Sequence, residues 1–371
     1  MSIDFKKNNS IFSILHNNSN NRTGTIHTAH GIINTPSYVP VATNAVIKGC
    51  DSQIIDEINI DLLFVNTYHM LVHPGDQIIK NAGGLHTFMQ RKKPIITDSG
   101  GFQIFSLKYG GVAQELKSKG MKKESNSVLK VTEEGVLFRS YRDGSLLFMT
   151  PESTIIAQKN LGSDIIIPLD ELLPFHIEDK IFKKSFDKTH RWQIRSYQEH
   201  EKNKQNQLIY AVIHGSIYPE YRKKSALLLS QYDFDGFAIG GSLGKNTADV
   251  ASVLQETIKW LPPEKPRHLL GIADLKTIEV ALKLGIDTFD SAYPTKCARH
   301  GWLFTEKGPI KILQSKWLDV HESFSQTPRL QNYSYAYLHH LFKSHEQVAG
   351  TFASIHNIWY LNEYCKKLRL K

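Results

Sequence analysis

The stretch Pro94-Ile-Ile-Thr-Asp98-Ser-Gly-Gly-Phe-Gln-Ile-Phe-Ser106 is the segment from which the fold and the site are inferred. A short apolar, β-rich run ends at an aspartate, and a Ser-Gly-Gly turn and a second apolar stretch follow it. A buried strand fixes the position of Asp98, and the glycines let the backbone approach a ligand closely. An aspartate that caps the following helix would give the same pattern. The stretch alone leaves both interpretations open.

Seven further short apolar runs occur along the chain, and most are separated by stretches with helical periodicity, such as 249–260 and 275–284. Eight buried strands that alternate with helices predict an α/β fold, a (β/α)8 TIM barrel with insertions. The eight predicted strands are 38–43, 62–66, 94–97, 164–169, 208–213, 236–240, 268–272 and 286–289.

The rest of the chain is interpreted as additions to that barrel. Residues 1–22 are polar and predict an N-terminal arm, and 23–371 form one domain because no linker or internal repeat divides them. The predicted additions are a hairpin at 23–37, a second hairpin joined at Asp143-Gly144 within an insertion at 110–151, a strand excursion at 302–314, and a C-terminal helical subdomain with two helices at 333–370.

Composition favours a soluble protein with a polyanionic partner. The 371 residues carry 45 Lys and Arg against 36 Asp and Glu, which gives a net charge of +9. A basic enzyme without such a partner has the same composition. The three cysteines form no CxxC pair, and the chain has neither an apolar run of roughly 18 residues nor an apolar signal core at its start. We therefore expect a cytoplasmic protein that binds no membrane.

Polar or glycine residues follow nearly every predicted strand, where this type of barrel binds its ligands. Three strands lead to an aspartate, namely Asp98, Asp170 and Asp290. Three carboxylates in one mouth suit chemistry at an anomeric carbon, because one can attack, another can move a proton and a third can hold a base or a sugar. These residues alone leave transfer at a glycosidic bond and hydrolysis by a sugar-cutting enzyme both open.

Two basic residues, Lys296 and Arg299, follow Asp290 closely in the sequence. Beside a nucleophile, they would suit the phosphates that flank a reacting nucleotide. A solvated charged loop is the alternative interpretation. The pattern favours a nucleic acid over a small sugar as the substrate.

Several motifs in a fixed order resemble those of the tRNA-guanine transglycosylases, also called queuine tRNA-ribosyltransferases. The resemblance extends from about residue 23 to residue 357, and the order of so many motifs makes it specific. The motifs are NTYH with HPG at 66–75, DSGGFQ at 98–103, SYRDG at 140–144, TPE at 150–152, DE at 170–171, GG at 240–241, FDSAYPTK at 289–296 and HN at 356–357.

The resemblance implies a TIM-barrel enzyme that replaces guanine at wobble position 34 of tRNAs with GUN anticodons by a 7-substituted 7-deazaguanine. The exchange would pass through a covalent enzyme–tRNA intermediate. The implied partners are the tRNA anticodon loop, in a U-G-U context, and the free base. No cofactor would be needed, since one glycosidic bond replaces another of similar energy.

The resemblance also assigns roles to matching positions of this chain. Asp290 matches the nucleophile, Asp98 the general acid/base and Asp170 the residue that holds the base. The other implied base-binding positions are Ser99, Phe102 (which would stack on the base), His214, Gly240, Gly241 and Leu270. The implied tRNA-binding positions are Gly271, Ile272, Ala273, Asp274 and Lys276 in one turn, and Thr295, Lys296, Cys297, Ala298 and Arg299 in a loop.

Two departures from the family pattern lie at the base pocket. His214 replaces a glutamine whose amide meets the base, and an imidazole could donate to the base O6 only in one tautomer or when charged. This predicts an additional ionisation in the pH profile. Gly244 and Leu172 replace a valine and a cysteine that are common in members specific for the aminomethyl precursor preQ1. Because glycine leaves more room, we expect queuine to be favoured over that precursor.

A third departure concerns the family's structural zinc site. The segment 318–332, within the counterpart of the zinc-binding subdomain at 318–357, contains no cysteine. Only His356 matches a ligand, and His321 as a second imidazole would not complete a tetrahedral site. We therefore expect no structural zinc. The family's homodimer forms near this region, so the loss also weakens the expectation of a homodimer.

Three other functions fit parts of the pattern. A non-catalytic tRNA-binding subunit of a transglycosylase heterodimer would lack the catalytic aspartates, but Asp98 and Asp290 are both present. An archaeal-type enzyme that acts at another tRNA position carries additional C-terminal RNA-binding domains. A glycoside hydrolase on a small sugar would not need basic residues beside Asp290. The sequence favours the transglycosylase.

Overall fold

A computed structural model describes residues 10–18, 21–109, 127–174, 177–272 and 274–370 of the chain. Within these ranges the strands are β1 Phe12–Asn18, β2 Asn21–Thr28, β3 Gly31–Thr35, β4 Ser37–Pro40, β5 Leu63–Val65, β6 Ile95–Thr97, β7 Val128–Val131, β8 Val136–Arg139, β9 Leu146–Met149, β10 Ile165–Ile166, β11 Leu208–Ile213, β12 Gly236–Ile239, β13 Arg267–Leu269, β14 Thr288–Ser291, β15 Trp302–Leu303 and β16 Ile310–Lys311. The helices are α1 Ser52–Glu57, α2 Thr67–Val72, α3 Asp76–Asn81, α4 Gly84–Phe88, α5 Gly101–Tyr109, α6 Pro151–Leu161, α7 Asp179–Glu201, α8 Pro219–Leu229, α9 Thr247–Ile258, α10 Leu275–Lys283, α11 Tyr293–Arg299, α12 Tyr335–Lys343 and α13 Gln347–Arg369, and Ser315–Trp317 is a 3-10 helix.

Eight parallel strands form one sheet that nearly closes on itself. Their order is β4-β14-β13-β12-β11-β10-β6-β5. Beyond β4 and β5, a parallel bridge between Val41 and Phe64 joins the two edges, and the Ala42 N–H donates to the Phe64 carbonyl oxygen at 2.7 Å. Each strand overlaps one of the eight predicted apolar runs, which confirms the predicted TIM barrel.

The barrel strands are buried on both faces, which explains why their sequences read as continuous apolar runs rather than as alternating ones. One apolar cluster combines barrel residues such as Val39 and Tyr210 with Phe12, Ile26 and Ile33 of the first three strands. Since β3 leads directly into β4, this N-terminal sheet covers the end of the barrel at which the parallel strands begin. The opposite end is left for the site.

The N-terminal sheet differs in part from the prediction. The hairpin expected at 23–37 is confirmed, since β2 and β3 pair antiparallel. The arm expected at 1–22 is wrong over 12–18, because β1 pairs with β2 there and Phe12 is buried. Few side chains of this strand enter the core: Phe12 is buried, whereas the apolar Ile14 and Leu15 and the two polar residues after them are exposed. Residues 1–9 lie outside the described ranges.

The other predicted additions are present. The strands β8 and β9 pair antiparallel around Asp143-Gly144, and β7 extends them to a three-stranded sheet. Residues 110–126 of the predicted insertion lie outside the described ranges. The excursion at 302–314 contains the antiparallel pair β15 and β16, and the tail contains the two helices α12 and α13. In the part of the chain that the structure describes, every helix is too short or too polar to cross a lipid bilayer.

Two of the barrel helices show how local sequence sets their starts. The Asn246 side chain accepts hydrogen bonds from the N–H groups of Ala248 and Asp249 at the start of α9. The Asp274 side chain accepts from the Thr277 N–H at the start of α10. Both are standard N-cap contacts, and they place the two helices close to the predicted helical stretches.

Candidate active site

Asp98 lies buried directly after β6, where the strand ends at the site. Its Oδ2 accepts from Asn66 Nδ2 at 2.7 Å, and its Oδ1 accepts from the Thr67 N–H at 2.7 Å. The carboxylate therefore caps α2, which follows the neighbouring strand β5, rather than the helix that follows Asp98. Burial raises the pKa of Asp98 to about 7, and the charges of Asp170 and Asp290 add to the rise, while the two hydrogen bonds oppose it.

Asp290 lies in β14, and one of its two carboxylate oxygens is hydrogen-bonded. Its Oδ1 accepts from the Gly271 N–H at 3.0 Å and lies 3.1 Å from His268 Nε2. Among the described residues, Oδ2 has no hydrogen-bond partner. The Nδ1 of His268 lies 2.8 Å from Thr288 Oγ1, so the hydroxyl can donate to Nδ1 while Nε2–H donates to the carboxylate. Asp290 thus presents one unengaged oxygen.

His268 was not predicted as a site residue, although it stands in the predicted strand 268–272. A histidine within an otherwise apolar strand was the available signal, because a buried imidazole requires partners. It is fully buried. Its pairing register places it beside Thr288, two residues before the nucleophile candidate.

Asp170 follows β10 and is buried beside two other predicted site residues. Ser99 Oγ donates to its Oδ1 at 3.3 Å, and His214 Nε2 lies 2.9 Å from its Oδ2. A Cβ built on Gly101 would lie only 1.9 Å from Oδ1, so the second glycine of the Ser-Gly-Gly turn is required by the approach of this carboxylate. The His214 ring therefore faces Asp170, whereas the match to the family's glutamine predicts a contact with the base O6.

The glycines after β12 close the other side of the same site. A Cβ on Gly240 would lie 2.8 Å from Val212 Cγ1 and 3.0 Å from Leu270 Cδ1. Gly241 has φ +75°, and its Cβ would lie 3.3 Å from His214 Nδ1. Larger residues would displace these neighbours. The structure thus brings Gly240, Gly241, Leu270 and His214 together.

Phe102 lies at the start of α5, next to Gly101. Its side chain is 44% exposed, and its ring centroid is 6.0 Å from that of Phe105. An exposed aromatic face on the residue after Gly101, which lies against Asp170, is available to stack on a planar ligand.

The residues expected to bind tRNA fall into two segments. The segment 295–299 was expected as a loop, but it belongs to α11, which begins with Pro294 in its first turn. The helix buries Thr295 and Ala298, leaves Cys297 half-buried, and exposes Lys296 and Arg299.

The second segment connects β13 to α10. Gly271 is exposed with φ +77°, Asp274 is the N-cap of α10, and Lys276 is exposed. Ile272 is partly buried against the core. Ala273 lies outside the described residues.

The residues at the family's zinc position do not fit a zinc site. His356 is buried, and its Nε2 lies 2.8 Å from the Phe304 carbonyl oxygen, so that nitrogen acts as a donor. Burial lowers the pKa of His356 to about 4. His321 is exposed and lies 2.8 Å from Asp319 instead. Phe324 packs near His356, with ring centroids 6.0 Å apart, so apolar packing occupies this place.

One group of three metal-ligand-type side chains lies together within the described ranges, at the other end of the barrel. It consists of His30, His86 and Asp164. The two imidazoles stack with centroids 3.5 Å apart. Asp164 already accepts from the N–H groups of His30 and Ile95. These contacts join the N-terminal sheet to the start of β10, which accounts for the group as a structural one.

Comparison with known proteins shows what the chain resembles over nearly its whole length. Residues 17–371 match the family model described as queuine tRNA-ribosyltransferase. A queuine tRNA-ribosyltransferase of Protochlamydia amoebophila is 52% identical over 363 residues, which cover 96% of this chain and 94% of the relative. The protein of the same description from Chlamydia caviae is 52% identical over 364 residues, covering 96% of this chain and 97% of the relative.

Proposed function

The chain belongs to the queuine tRNA-ribosyltransferase family, and on that premise we propose that it is a glycosyltransferase that exchanges a guanine in tRNA for queuine. The observation that carries the proposal is the convergence of Asp98, Asp170 and Asp290 at the carboxyl end of one barrel. Each carboxylate has a different set of partners, so each is suited to a different step.

Asp290 is the proposed nucleophile. Its Oδ1 is held by Gly271 and His268, which leaves Oδ2 to attack C1′ of the target nucleoside. The new bond is a ribosyl ester, and the electrons of the broken C1′–N bond pass to the departing guanine. The second half reverses these events, with a nitrogen of the entering base attacking C1′ and the carboxylate leaving.

Asp98 is the proposed proton carrier. With a pKa raised to about 7, it is partly protonated at neutral pH and can act as an acid and as a base. It would protonate the departing guanine and then accept the proton that the entering base loses. The two halves of the exchange return Asp98 to its starting state, so no external proton donor is needed.

Asp170 and its neighbours are the proposed base site. A carboxylate accepts two hydrogen bonds from the N1 and 2-amino groups of guanine-like bases. Because His214 and Ser99 already contact both oxygens, a bound base must share or replace these contacts. Phe102 would stack on the base, and the Gly241 N–H would donate to it.

We further propose that queuine is preferred to preQ1. Leu172 lines a cleft beside His214, together with Ser216 and Ser242. Gly244 is also required by close packing, because a Cβ there would lie 2.2 Å from Asp249 Cβ. Competition between queuine and preQ1 for one tRNA measures the preference, and a clear excess of incorporated preQ1 would contradict it.

The proposed contact with tRNA is supported by the positive charge of residues on α11. Lys296 and Arg299 are exposed on α11, which begins two residues after Ser291, the last residue of β14. The chain carries a net charge of +9. We propose that they contact phosphates near position 34 of tRNAs with GUN anticodons. Lys296→Ala should then weaken tRNA binding and reduce its salt dependence by about one unit of slope.

A cytoplasmic homodimer completes the proposal. The three cysteines are free thiols, as in a reducing compartment. Tyr333 and Tyr337 stack on each other at the surface of the helical subdomain, 37% and 43% exposed, and offer an aromatic contact face. Light scattering at micromolar concentration tests for the dimer, and a monomer mass would contradict it.

The test of the function is exchange of labelled guanine into tRNA, with the labelled position mapped. We expect label at position 34, displacement of the label by queuine, and a covalent protein–tRNA species on a denaturing gel. Asp290→Ala should abolish both label and adduct. Binding of tRNA without exchange would indicate a non-catalytic subunit, and cleavage of a sugar without tRNA would indicate a glycoside hydrolase.

A further inference from the structure

The guanidinium of Arg222 joins the two loops that form the base side of the site. Arg222 lies on α8 and is 1% exposed. Its Nε donates to the Ser216 carbonyl oxygen at 2.8 Å. Its Nη1 donates to the carbonyl oxygens of Ile213 at 2.9 Å and Gly240 at 2.7 Å, and its Nη2 to that of Ser242 at 2.8 Å. One side chain thus binds the ends of β11 and β12 and the loops that follow them.

This arginine differs in its partners from two other buried arginines, Arg22 and Arg91. Arg22 pairs with Asp287, and Arg91 pairs with Asp56. Within the described ranges, no carboxylate lies within ion-pair distance of Arg222, whose acceptors are all neutral carbonyls. Burial lowers the pKa of its guanidinium to about 9. A buried charge without a counter-ion is costly, so ion pairing does not explain why the residue is there.

The contacts to Gly240 and Ser242 determine where two peptide N–H groups point. A trans peptide directs its carbonyl and its N–H to opposite sides, and the peptides here are trans. The Gly240 carbonyl faces Arg222, so the Gly241 N–H faces away from it. Among the described residues, that N–H has no protein acceptor, and Gly241 adjoins the His214 ring. An unpaired donor beside His214 and Asp170 is available to a ligand.

The loop after β11 is shaped around the same residue. Gly215 has φ +149°, and a Cβ on it would lie 2.5 Å from the Arg222 backbone nitrogen. The His214 N–H donates to Ser225 Oγ, one turn further along α8, at 3.0 Å. The start of α8 therefore carries both the support for His214 and the side chain that holds the Gly240–Gly241 peptide.

We infer that Arg222 is a positioning residue for base exchange, which orients the Gly241 N–H and the His214 ring toward the bound base. A charged donor on the Gly240 carbonyl also polarises that peptide and makes the Gly241 N–H a stronger donor. Preorganised donors of this kind favour the charge that develops on a departing base. The inference rests on the proposed function, because it presupposes that a base occupies this site.

Lysine cannot replace this arginine, which gives a sharp test. An ammonium keeps the charge but lacks the planar fork that reaches four carbonyls at once. Arg222→Lys should raise the KM for the free base at least about tenfold, as expected for a misplaced donor. The KM for tRNA should change less than about twofold, because α11 and its basic residues are not touched. Arg91→Lys is the matched control, since Arg91 is equally buried but binds Asp56 and the Ile60 carbonyl oxygen instead.

The two variants are compared by thermal unfolding and by guanine and queuine exchange kinetics. We expect both Arg222→Lys and Arg91→Lys to have a lower Tm than the wild type. Only Arg222→Lys should have a higher KM for the base. If both lose Tm and neither changes that KM, Arg222 is only structural and the inference is wrong. If wild-type protein exchanges no base, the proposed function itself fails.

A second variant, Arg222→Ala, tests the inference by chemical rescue. In Arg222→Ala, added ethylguanidinium should fill the vacated space and restore a low KM for the base, whereas ethylammonium should not. Equal effects of the two cations would overturn the inference, as would failure of both Arg222 variants to fold.

Discussion

The Nε2 of His268 and the Oδ1 of Asp290 lie 3.1 Å apart, on neighbouring strands of the barrel. Thr288 Oγ1 lies 2.8 Å from the other ring nitrogen and favours the tautomer in which Nε2 carries the proton. The pair fixes the orientation of the proposed nucleophile and leaves its second oxygen free.

This pair predicts a slower first half-reaction when the ring is lost. His268→Leu removes a hydrogen bond to a charged group, which corresponds to about 1.5–3 kcal/mol and to a rate of adduct formation about 10- to 100-fold lower. His268→Gln keeps an N–H donor and should retain more activity. Single-turnover adduct formation on a denaturing gel measures the rate. His339→Gln, a buried histidine of α12, is the control, and a wild-type rate in His268→Leu would contradict the prediction.

The raised pKa of Asp98 predicts a pH-dependent gain of stability in Asp98→Asn. In the folded protein this carboxyl binds its proton up to about pH 7, but in the unfolded chain only up to about 3.8. The wild type therefore loses stability as pH rises between these values. The gain from Asn should grow by up to about 3 kcal/mol from pH 5 to pH 8, because about two pH units of that window lie below the pKa of about 7.

Denaturant unfolding at pH 5 and pH 8 measures this difference. Asp143→Asn is the control, because the pKa of Asp143 is lowered to about 2 by its contacts with Ser140 and Ser145. The contribution of Asp143 to stability is complete above about pH 3.8 and is lost only as pH falls below that value, so the effect of Asp143→Asn should be the same at pH 5 and pH 8. An equal gain for Asp98→Asn at both pH values would show that its carboxyl is ionised throughout.

The contact of His214 with Asp170 predicts a change in the pH profile. His214→Gln keeps a donor near the carboxylate but removes the imidazole that lies 2.9 Å from Asp170 Oδ2. We expect the acid limb of kcat/KM to move, while the limb due to Asp98 stays. The control is His321→Gln, at an exposed histidine outside the site. A profile identical to that of the wild type would exclude His214 as the titrating group.

The close packing around Gly244 predicts that a larger residue there lowers the stability of the protein, whichever substrate it uses. It has φ +94°, and a Cβ there would lie 2.2 Å from Asp249 Cβ. Gly244→Val should therefore destabilise the protein by about 3 kcal/mol or more. Gly144→Val is the matched control, because Gly144 has φ +74° but nothing within 4 Å of its Cβ position. Thermal unfolding compares the two, and similar losses of Tm would show that the contact with Asp249 relaxes.

The residues at the family's zinc position predict that the stability of this protein does not depend on a bound metal. His356 donates to the Phe304 carbonyl oxygen, and its neighbour Phe324 is buried. Incubation with a strong chelator should leave Tm unchanged, and metal analysis should find far less than one zinc per chain. His356→Ala should lower the free energy of unfolding by about 2–3 kcal/mol through lost packing, and Tm should fall with it. The prediction would be contradicted if the chelator lowered the Tm of the wild type but not that of His356→Ala.

Much of the barrel was predictable because both faces of its strands are buried. Such strands read as short apolar runs, and polar residues at their ends mark the open mouth of the barrel. The same signal failed for β1, where only Phe12 enters the core and Asn-rich sequence follows. It also failed for 295–299, where a helix of seven residues from Tyr293 to Arg299 is too short to show periodicity.

The sequence by itself determined the barrel, the family and the three aspartates, since these depend on local apolar runs and on motifs along the chain. Only the tertiary structure decided which groups act on them. Asp98 caps a helix that begins 31 residues earlier, His214 meets Asp170 across 44 residues, and His268 meets Asp290 across 22. Such contacts arise where parallel strands end side by side, and no local pattern specifies which side chains face each other there. Arg222 illustrates this most clearly, because its four acceptors are backbone carbonyls, which carry no signature in the sequence.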